Sequence, residues 1–532
     1  MARKHTSNQN PAVKKPTPVT RNGFIDSLKQ VIEYVENCHA PFSYYVATFL
    51  AAITLRIFLE IMVVQNDTRI FWHTPIHFAL FYASLMLHII LLLFLMTNEK
   101  IEKISKLVMT GFIVTATVPV TDLLFQLVWQ YEISYLYMVP EKTKSIWTNY
   151  LLFFGDHKGA TPGMRIEILA AMAGGGLYVY TKTNSKIRGV VTAVLIYSLI
   201  FWLYGAIIFL ITGLERLAGL PYDTSYTMMI HAFLFLLFHS LLLAAYCYNP
   251  EYFKAILKDF RLTRVLHYVL MVLFGIVIGY APSSTTVLKL SHFIEMYFIV
   301  IAVICACIYS AITNNLADIS IDRITNPDRP SITESIPQKS YERIGYALLA
   351  LSMTYSLAVG FLTMFLIASF VGNYFLYSMP PLRLKRVPVF SKALIALNCL
   401  IMMLVGYNFV GKQIPLFPPA LIVFVLVMFT ACINFIDIKD YAGDKAEGIR
   451  TLPVLMGLER SKQLIGVFFL AGYAVTPYFL NLPGLYLPSI LSGMAICYLI
   501  SKKNYREWPV FSVYLASGVY LFMYLAFKNN ML

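Results

Sequence analysis

The stretch N-N-L-A-D-I-S-I-D-R-I-T-N-P-D-R-P, residues 314–330, follows an apolar run long enough to cross a bilayer. Asp318 and Asp322 stand four residues apart at the end of that run, and Asn314 lies one turn earlier. On a continuous helix this spacing puts all three on one face. Pro327 and Pro330 then end the helix, among Arg323, Asp328 and Arg329. A carboxylate at membrane depth is costly unless it has a partner. Two carboxylates aimed the same way suit a hard divalent cation, and Mg2+ usually takes one or two carboxylates together with phosphate oxygens.

A second stretch repeats the pattern: N-F-I-D-I-K-D-Y-A-G-D-K-A-E-G-I-R-T-L-P, residues 434–453. Asp437, Asp440 and Asp444 fall at i, i+3 and i+7, again one stripe at the end of an apolar run. Two acidic helix ends facing one pocket can hold two Mg2+ ions with a diphosphate between them.

The first stretch resembles the N-D-x-x-D-x-x-x-D motif of the UbiA superfamily of membrane prenyltransferases, and the second its D-x-x-D-x-x-x-D motif. Between them Y-S-M-P-P-L-R-L-K-R, residues 377–386, resembles the basic loop of the same family. The resemblance covers residues 262–530. Two positions depart from it: Asn315 stands where the family has its first Asp, and Asn326 where a Lys often precedes P-D-R-P.

Composition sets the class. The 532 residues are 58% hydrophobic and 13% charged, about half the ordinary charged share of roughly 25%. Apolar runs of spanning length recur throughout, so this reads as a polytopic membrane protein. The net charge of +14 does not point to nucleic acid, because Lys and Arg gather in short loops, as the positive-inside bias requires. The seven Cys are scattered without metal spacing or a disulfide framework and read as small core residues.

In chain order, residues 1–42 read as a basic cytoplasmic arm and an amphipathic segment (24–38) lying along the interface, with no secretory signal. Residues 43–250 hold six spans, near 43–64, 75–96, 107–130, 166–182, 189–212 and 226–248. Between them, 147–155 is apolar but too short to span and reads as re-entrant or interfacial, with Arg165, Glu167, Asp156 and His157 as polar contacts of a re-entrant segment. His73, His77 and His88 read as buried or interfacial, with Pro75 breaking any regular helix between the first two. No family is recognised for residues 1–260.

Nine further spans follow, near 265–281, 293–313, 343–361, 363–379, 392–410, 418–436, 463–480, 485–500 and 509–527. Threading them from a cytoplasmic linker at 249–264 puts both acidic motifs and the basic loop on the cytoplasmic side. The expected fold is therefore an all-α integral membrane protein, a nine-helix UbiA-like bundle preceded by about six further transmembrane helices.

The resemblance implies a Mg2+-dependent transfer of a polyprenyl group from its diphosphate to an aromatic, tetrapyrrole or lipid-like acceptor. It assigns Asp318 and Asp322 to one metal and Asp440 and Asp444 to the other. Asn314, Asn315 and Asp437 would be supporting ligands or orienters. Arg329, Arg383, Lys385, Arg386 and Lys445 are candidates for diphosphate contact, Tyr377 for facing the allylic cation, and Asn434 for touching substrate. Asn315 lies about 100° from Asn314 around the helix, so it would meet a cation through water or hold Asp318, and an Asp there is expected to tighten Mg2+ binding. Two other readings stand beside this one: transfer of a polyprenyl-linked group to a phosphorylated sugar, and a transporter with intramembrane acidic sites.

Overall fold

The computed structural model describes residues 23–63, 73–280 and 289–529, apart from positions 134, 136, 141, 142, 144, 156, 224 and 447. The basic arm 1–22 and Asp156 lie outside the described residues. The regular secondary structure described is all helical. Among the described residues twelve helices are long and apolar enough to cross a membrane, five before residue 249 and seven after it. This is an integral, multi-pass membrane protein. The other three expected spans are also helical: Pro162–Thr183, Gln338–Val359 and Leu458–Phe479. Each carries charged residues near an end, such as Arg165, Glu342 or Lys462, and is less apolar.

The chain divides into two compact units, Met1–Leu214 with Thr224–Tyr248, and Glu215–Asp223 with Asn249–Leu532. In the first, the amphipathic segment is a helix, Gly23–Asn37. Its buried Glu36 accepts hydrogen bonds from Tyr178 Oη (3.0 Å) and Lys182 Nζ (2.6 Å). Thr161 caps the Pro162–Thr183 helix by accepting from the Met164 N–H, with Pro162 in the first turn where no N–H is needed. Pro75 likewise falls in the first turn of His73–Thr97, so it starts that helix and does not interrupt it. His77 is buried, its Nε2 2.7 Å from Tyr137 Oη.

The expected re-entrant piece is a short helix, Ile146–Leu151, followed by a left-handed turn through Phe153, Phe154 and Gly155. Arg165 ties it down, donating to the carbonyls of Phe153 (2.7 Å), Gly155 (2.8 Å) and Ala160 (3.0 Å). Nearby in sequence, Asp122 accepts from Tyr135 Oη (2.9 Å), Thr161 Oγ1 (2.7 Å) and the Gly163 N–H (2.7 Å). A side chain at Gly163 would meet Val118 O at 2.6 Å. On the Phe42–Val63 helix, fully buried Arg56 lies 3.2 Å from Glu60, one turn on.

In the second unit, the long helices among the described residues run from Leu262–Gly279 to Glu507–Lys528. Their core gathers Tyr268, Ile299, Phe370, Cys399, Met402 and Val425. The Leu262–Gly279 and Phe390–Phe409 helices meet backbone to backbone. A Cβ at Gly275 would sit 1.9 Å from Met403 O, and one at Gly406 1.9 Å from Val272 O. Small residues at such a crossing let membrane helices approach closely. All seven cysteines are free thiols.

Candidate active site

The helices that carry chemistry end close to one another. Leu290–Ala317 stops at Asp318, whose backbone (φ −113°, ψ 22°) leaves the helical region, and a short helix, Ile319–Thr325, follows. The single stripe expected over 314–322 is therefore broken at its middle member. Asn314, Asp318 and Asp322 nevertheless line one cavity. The second motif is one regular helix, Asp437–Ala446, and Asp437, Asp440 and Asp444 line the same cavity.

Three of these five carboxylates hold basic side chains. Asp318 Oδ1 accepts from Arg383 (2.8 Å) and from Lys385. Asp322 pairs with Arg329 and accepts from Asn326 Nδ2 (3.1 Å). Asp437 Oδ1 accepts from Lys392 Nζ (2.6 Å). Burial raises the Asp322 carboxyl above its ordinary range against the pull of Arg329. Burial also lowers the Lys385 ammonium against the pull of Asp318. Arg261 is pushed down to about 10, first by burial and then by the charges of Arg264 and Arg329. Asp437 Oδ2 and Asp440 Oδ1 are buried without a hydrogen-bond partner.

Beyond the charges the cavity, about 350 Å³, becomes apolar and aromatic. Met271, Phe274, Phe424, Phe429 and Leu521 form walls, together with Tyr268, Tyr374 and Tyr377. The Tyr374 and Tyr377 rings lie 6.3 Å apart. His267 faces the cavity with Nδ1 2.8 Å from Tyr514 Oη.

Not every expected residue arrives here. Arg386 and Lys445 are exposed and do not line the cavity, and Lys445 instead lies over the Tyr441 ring (5.7 Å). Asn434 spends its amide on the carbonyls of Thr430 (2.9 Å) and Ala431 (3.0 Å), one turn back on its own backbone. Arg383 reaches Asp318 and the Ala317 carbonyl from beside the cavity. Asn315 faces neither water nor Asp318. It is fully buried behind the cavity wall and bonds Arg261, Arg329, Asp259 and Tyr341.

Four charged cavity residues escape a reading of the sequence: Asp259, Arg261, Arg264 and Lys392. The first three sit among the charges of 249–264 and read there as linker. Asn249 and Pro250 cap a helix, Pro250–Lys258, that delivers them to the head of Leu262–Gly279. Lys392 had a visible signal, a lone lysine in the first turn of an apolar run.

Among the described residues no three His, Cys, Asp or Glu side chains converge as a ready metal cage. The donors still fit Mg2+. They are carboxylates, two of their buried oxygens are orphaned, and Mg2+ is commonly held by one or two carboxylates with the rest from substrate phosphates and water.

Residues 269–518 match the model of the UbiA prenyltransferase family, and no other family is recognised elsewhere in the chain. Similar proteins include naringenin 8-dimethylallyltransferase 2, chloroplastic, of Sophora flavescens, 29% identical over 206 residues (35% of this chain, 50% of that protein). Digeranylgeranylglyceryl phosphate synthase of Korarchaeum cryptofilum is 27% identical over 198 residues (35% and 68%), and that of Methanocaldococcus jannaschii 28% over 234 residues (42% and 75%). The chain thus spans half the length of the Sophora protein. Among solved structures, a UbiA homolog from Archaeoglobus fulgidus bound to GPP and Mg2+ aligns with 52% of this chain and all of its own, at 19% identity and a TM-score of 0.42. A UbiA prenyltransferase family domain is thus recognised over residues 269–518 of this chain.

Proposed function

We propose that the second unit transfers a polyprenyl group from its diphosphate to a lipid-type acceptor in a Mg2+-dependent reaction. The observation that carries this reading is one cavity lined at one end by two acidic motifs and their basic partners, and beyond them by apolar and aromatic side chains. Bound Mg2+ would act as a Lewis acid on the leaving diphosphate, held by Asp318 and Asp322 on one side and Asp440 and Asp444 on the other. Arg329, Lys385 and Lys392, now spent on carboxylates, exchange part of those bonds for phosphate oxygens. Tyr374 and Tyr377 present aromatic faces to the allylic carbon, and the apolar walls take the chain and exclude water. The allylic carbon–oxygen bond breaks with its electron pair on the diphosphate. A new bond forms to the acceptor oxygen, whose proton passes to the released diphosphate.

The lipid-type acceptor is favoured by the archaeal digeranylgeranylglyceryl phosphate synthases among the similar proteins. Our reading also keeps fifteen spans, six before residue 250 and nine after 262, with the N-terminus and the acidic loops on the cytoplasmic face. The Lys and Arg content of those loops supports it. The test is release of pyrophosphate from a polyprenyl diphosphate by the purified protein. Release that needs Mg2+ and stops with chelator is the expected result; a protein that binds but never cleaves the diphosphate removes the reading.

A further inference from the structure

Asn315 is fully buried and all four of its amide hydrogen-bonding positions are taken. Its Oδ1 accepts from Arg261 Nη2 (2.8 Å) and Arg329 Nη1 (2.9 Å). Its Nδ2 donates to Asp259 Oδ2 (2.7 Å) and Tyr341 Oη (3.0 Å). Tyr341 Oη donates to the same Asp259 oxygen (2.8 Å). Arg329 goes on to Asp322. The network holds two guanidinium groups and two carboxylates, so its formal charge is zero. Asp259, Arg261, Arg329 and Asp322 line the cavity, while Asn315 and Tyr341 stand behind them.

An aspartate at 315 would remove both donors. It would also set a second carboxylate oxygen at hydrogen-bond distance from Asp259, where like charges disfavour each other strongly in a buried site. The acid that the motif lacks at 315 is thus supplied across the contact by Asp259. We propose that Asn315 is a positioning residue that must be neutral because Asp259 already places a negative charge against it, and that this amide–carboxylate pair fixes Arg261 and Arg329 toward a diphosphate. The inference rests on the prenyl-transfer reading above, and it reverses the expectation that an acid at 315 would improve Mg2+ use.

The test is a charge exchange in the full-length protein in detergent, assayed by Mg2+-dependent pyrophosphate release from geranylgeranyl diphosphate with a membrane-lipid extract as acceptor. Asn315→Asp is expected to lower kcat/KM by about tenfold or more, mainly by raising KM for the diphosphate. Asp259→Asn is expected to fall comparably. The double variant Asp259→Asn/Asn315→Asp restores one amide facing one carboxylate and should return to within about threefold of the original, as coupled neighbours do. An Asn315→Asp variant within about threefold of the original kcat/KM, or a double variant no better than either single one, overturns the proposal. Thermal unfolding follows the same cycle without turnover: each single change lowers the melting temperature and the pair restores it. Should the unaltered protein release no pyrophosphate, the transferase reading fails by itself, and the melting cycle still decides the Asn315–Asp259 pairing. If Asn315→Asp alone does not fold, a folded double variant supports the pairing and an unfolded one overturns it.

Discussion

Lys392 Nζ lies 2.6 Å from Asp437 Oδ1, and both side chains are buried. The lysine is in the first turn of Phe390–Phe409 and the aspartate heads Asp437–Ala446, so one ion pair ties two elements at the cavity. Removing one partner of a buried pair strands the other charge, at a cost of about 3–5 kcal/mol. Lys392→Ala is therefore expected to lower the melting temperature clearly and to reduce turnover. Asp437→Asn with Lys392→Met should regain the stability but not the activity. Calorimetry beside a pyrophosphate assay checks both.

Asp440 behaves in the opposite way. Its Oδ1 is buried without a hydrogen-bond partner, and among the described residues no basic side chain forms an ion pair with it. Asp440→Asn should leave thermal stability unchanged or raise it, while turnover falls by about a hundredfold or more as one carboxylate toward the metal is lost. A variant that is both stable and fully active removes Asp440 from the site. Asp318→Ala should also stop turnover, but with a loss of stability, because Arg383 and Lys385 lose their acceptor.

The basic residues expected to touch diphosphate separate into inner and outer members. Lys385→Ala and Arg383→Ala should each weaken use of the diphosphate by about tenfold, roughly the value of one charge-assisted contact. Arg386→Ala and Lys445→Ala, both exposed, should stay within about twofold of the original rate. KM for the diphosphate across the four variants is the measurement, and equal losses in all four would contradict the assignment.

A chain beginning at residue 262 holds every motif legible in the sequence, yet it lacks Asp259 and Arg261. The compact unit takes in Asn249–Leu532. Expressed side by side, residues 249–532 should retain more Mg2+-dependent pyrophosphate release than residues 262–532. Equal activity would mean that the Asp259–Asn315–Arg261 contacts are dispensable.

The helix crossing gives a prediction independent of chemistry. Gly275→Ala and Gly406→Ala drive a methyl into a carbonyl oxygen and should destabilise by about 1–3 kcal/mol or more. Gly372→Ala meets nothing within 4 Å and should be neutral or slightly stabilising. Thermal unfolding in one detergent compares the three.

Much of this site is legible because helical spacing and the apolar runs before them are local properties of the chain. Asp437, Asp440 and Asp444 keep their stripe since their helix is regular. The break at Asp318 is not legible, because nothing in L-A-D-I-S marks a residue leaving the helical region. Arg261 and Lys392 belong to the site only through tertiary packing, and a charged residue at a helix head looks the same whether it faces solvent or a cavity. Arg386 and Lys445 show the converse, basic residues in the right loops that point away.

Arg56 and Glu60 raise a separate matter, that of entry into the membrane. Both sit on Phe42–Val63, one turn apart and 3.2 Å from each other. An arginine carried alone into the bilayer faces a heavy partition penalty. Here the counter-charge belongs to the same helix and is in place as soon as that helix forms. The segment can be inserted as a neutral unit, before any neighbouring helix has arrived to solvate it.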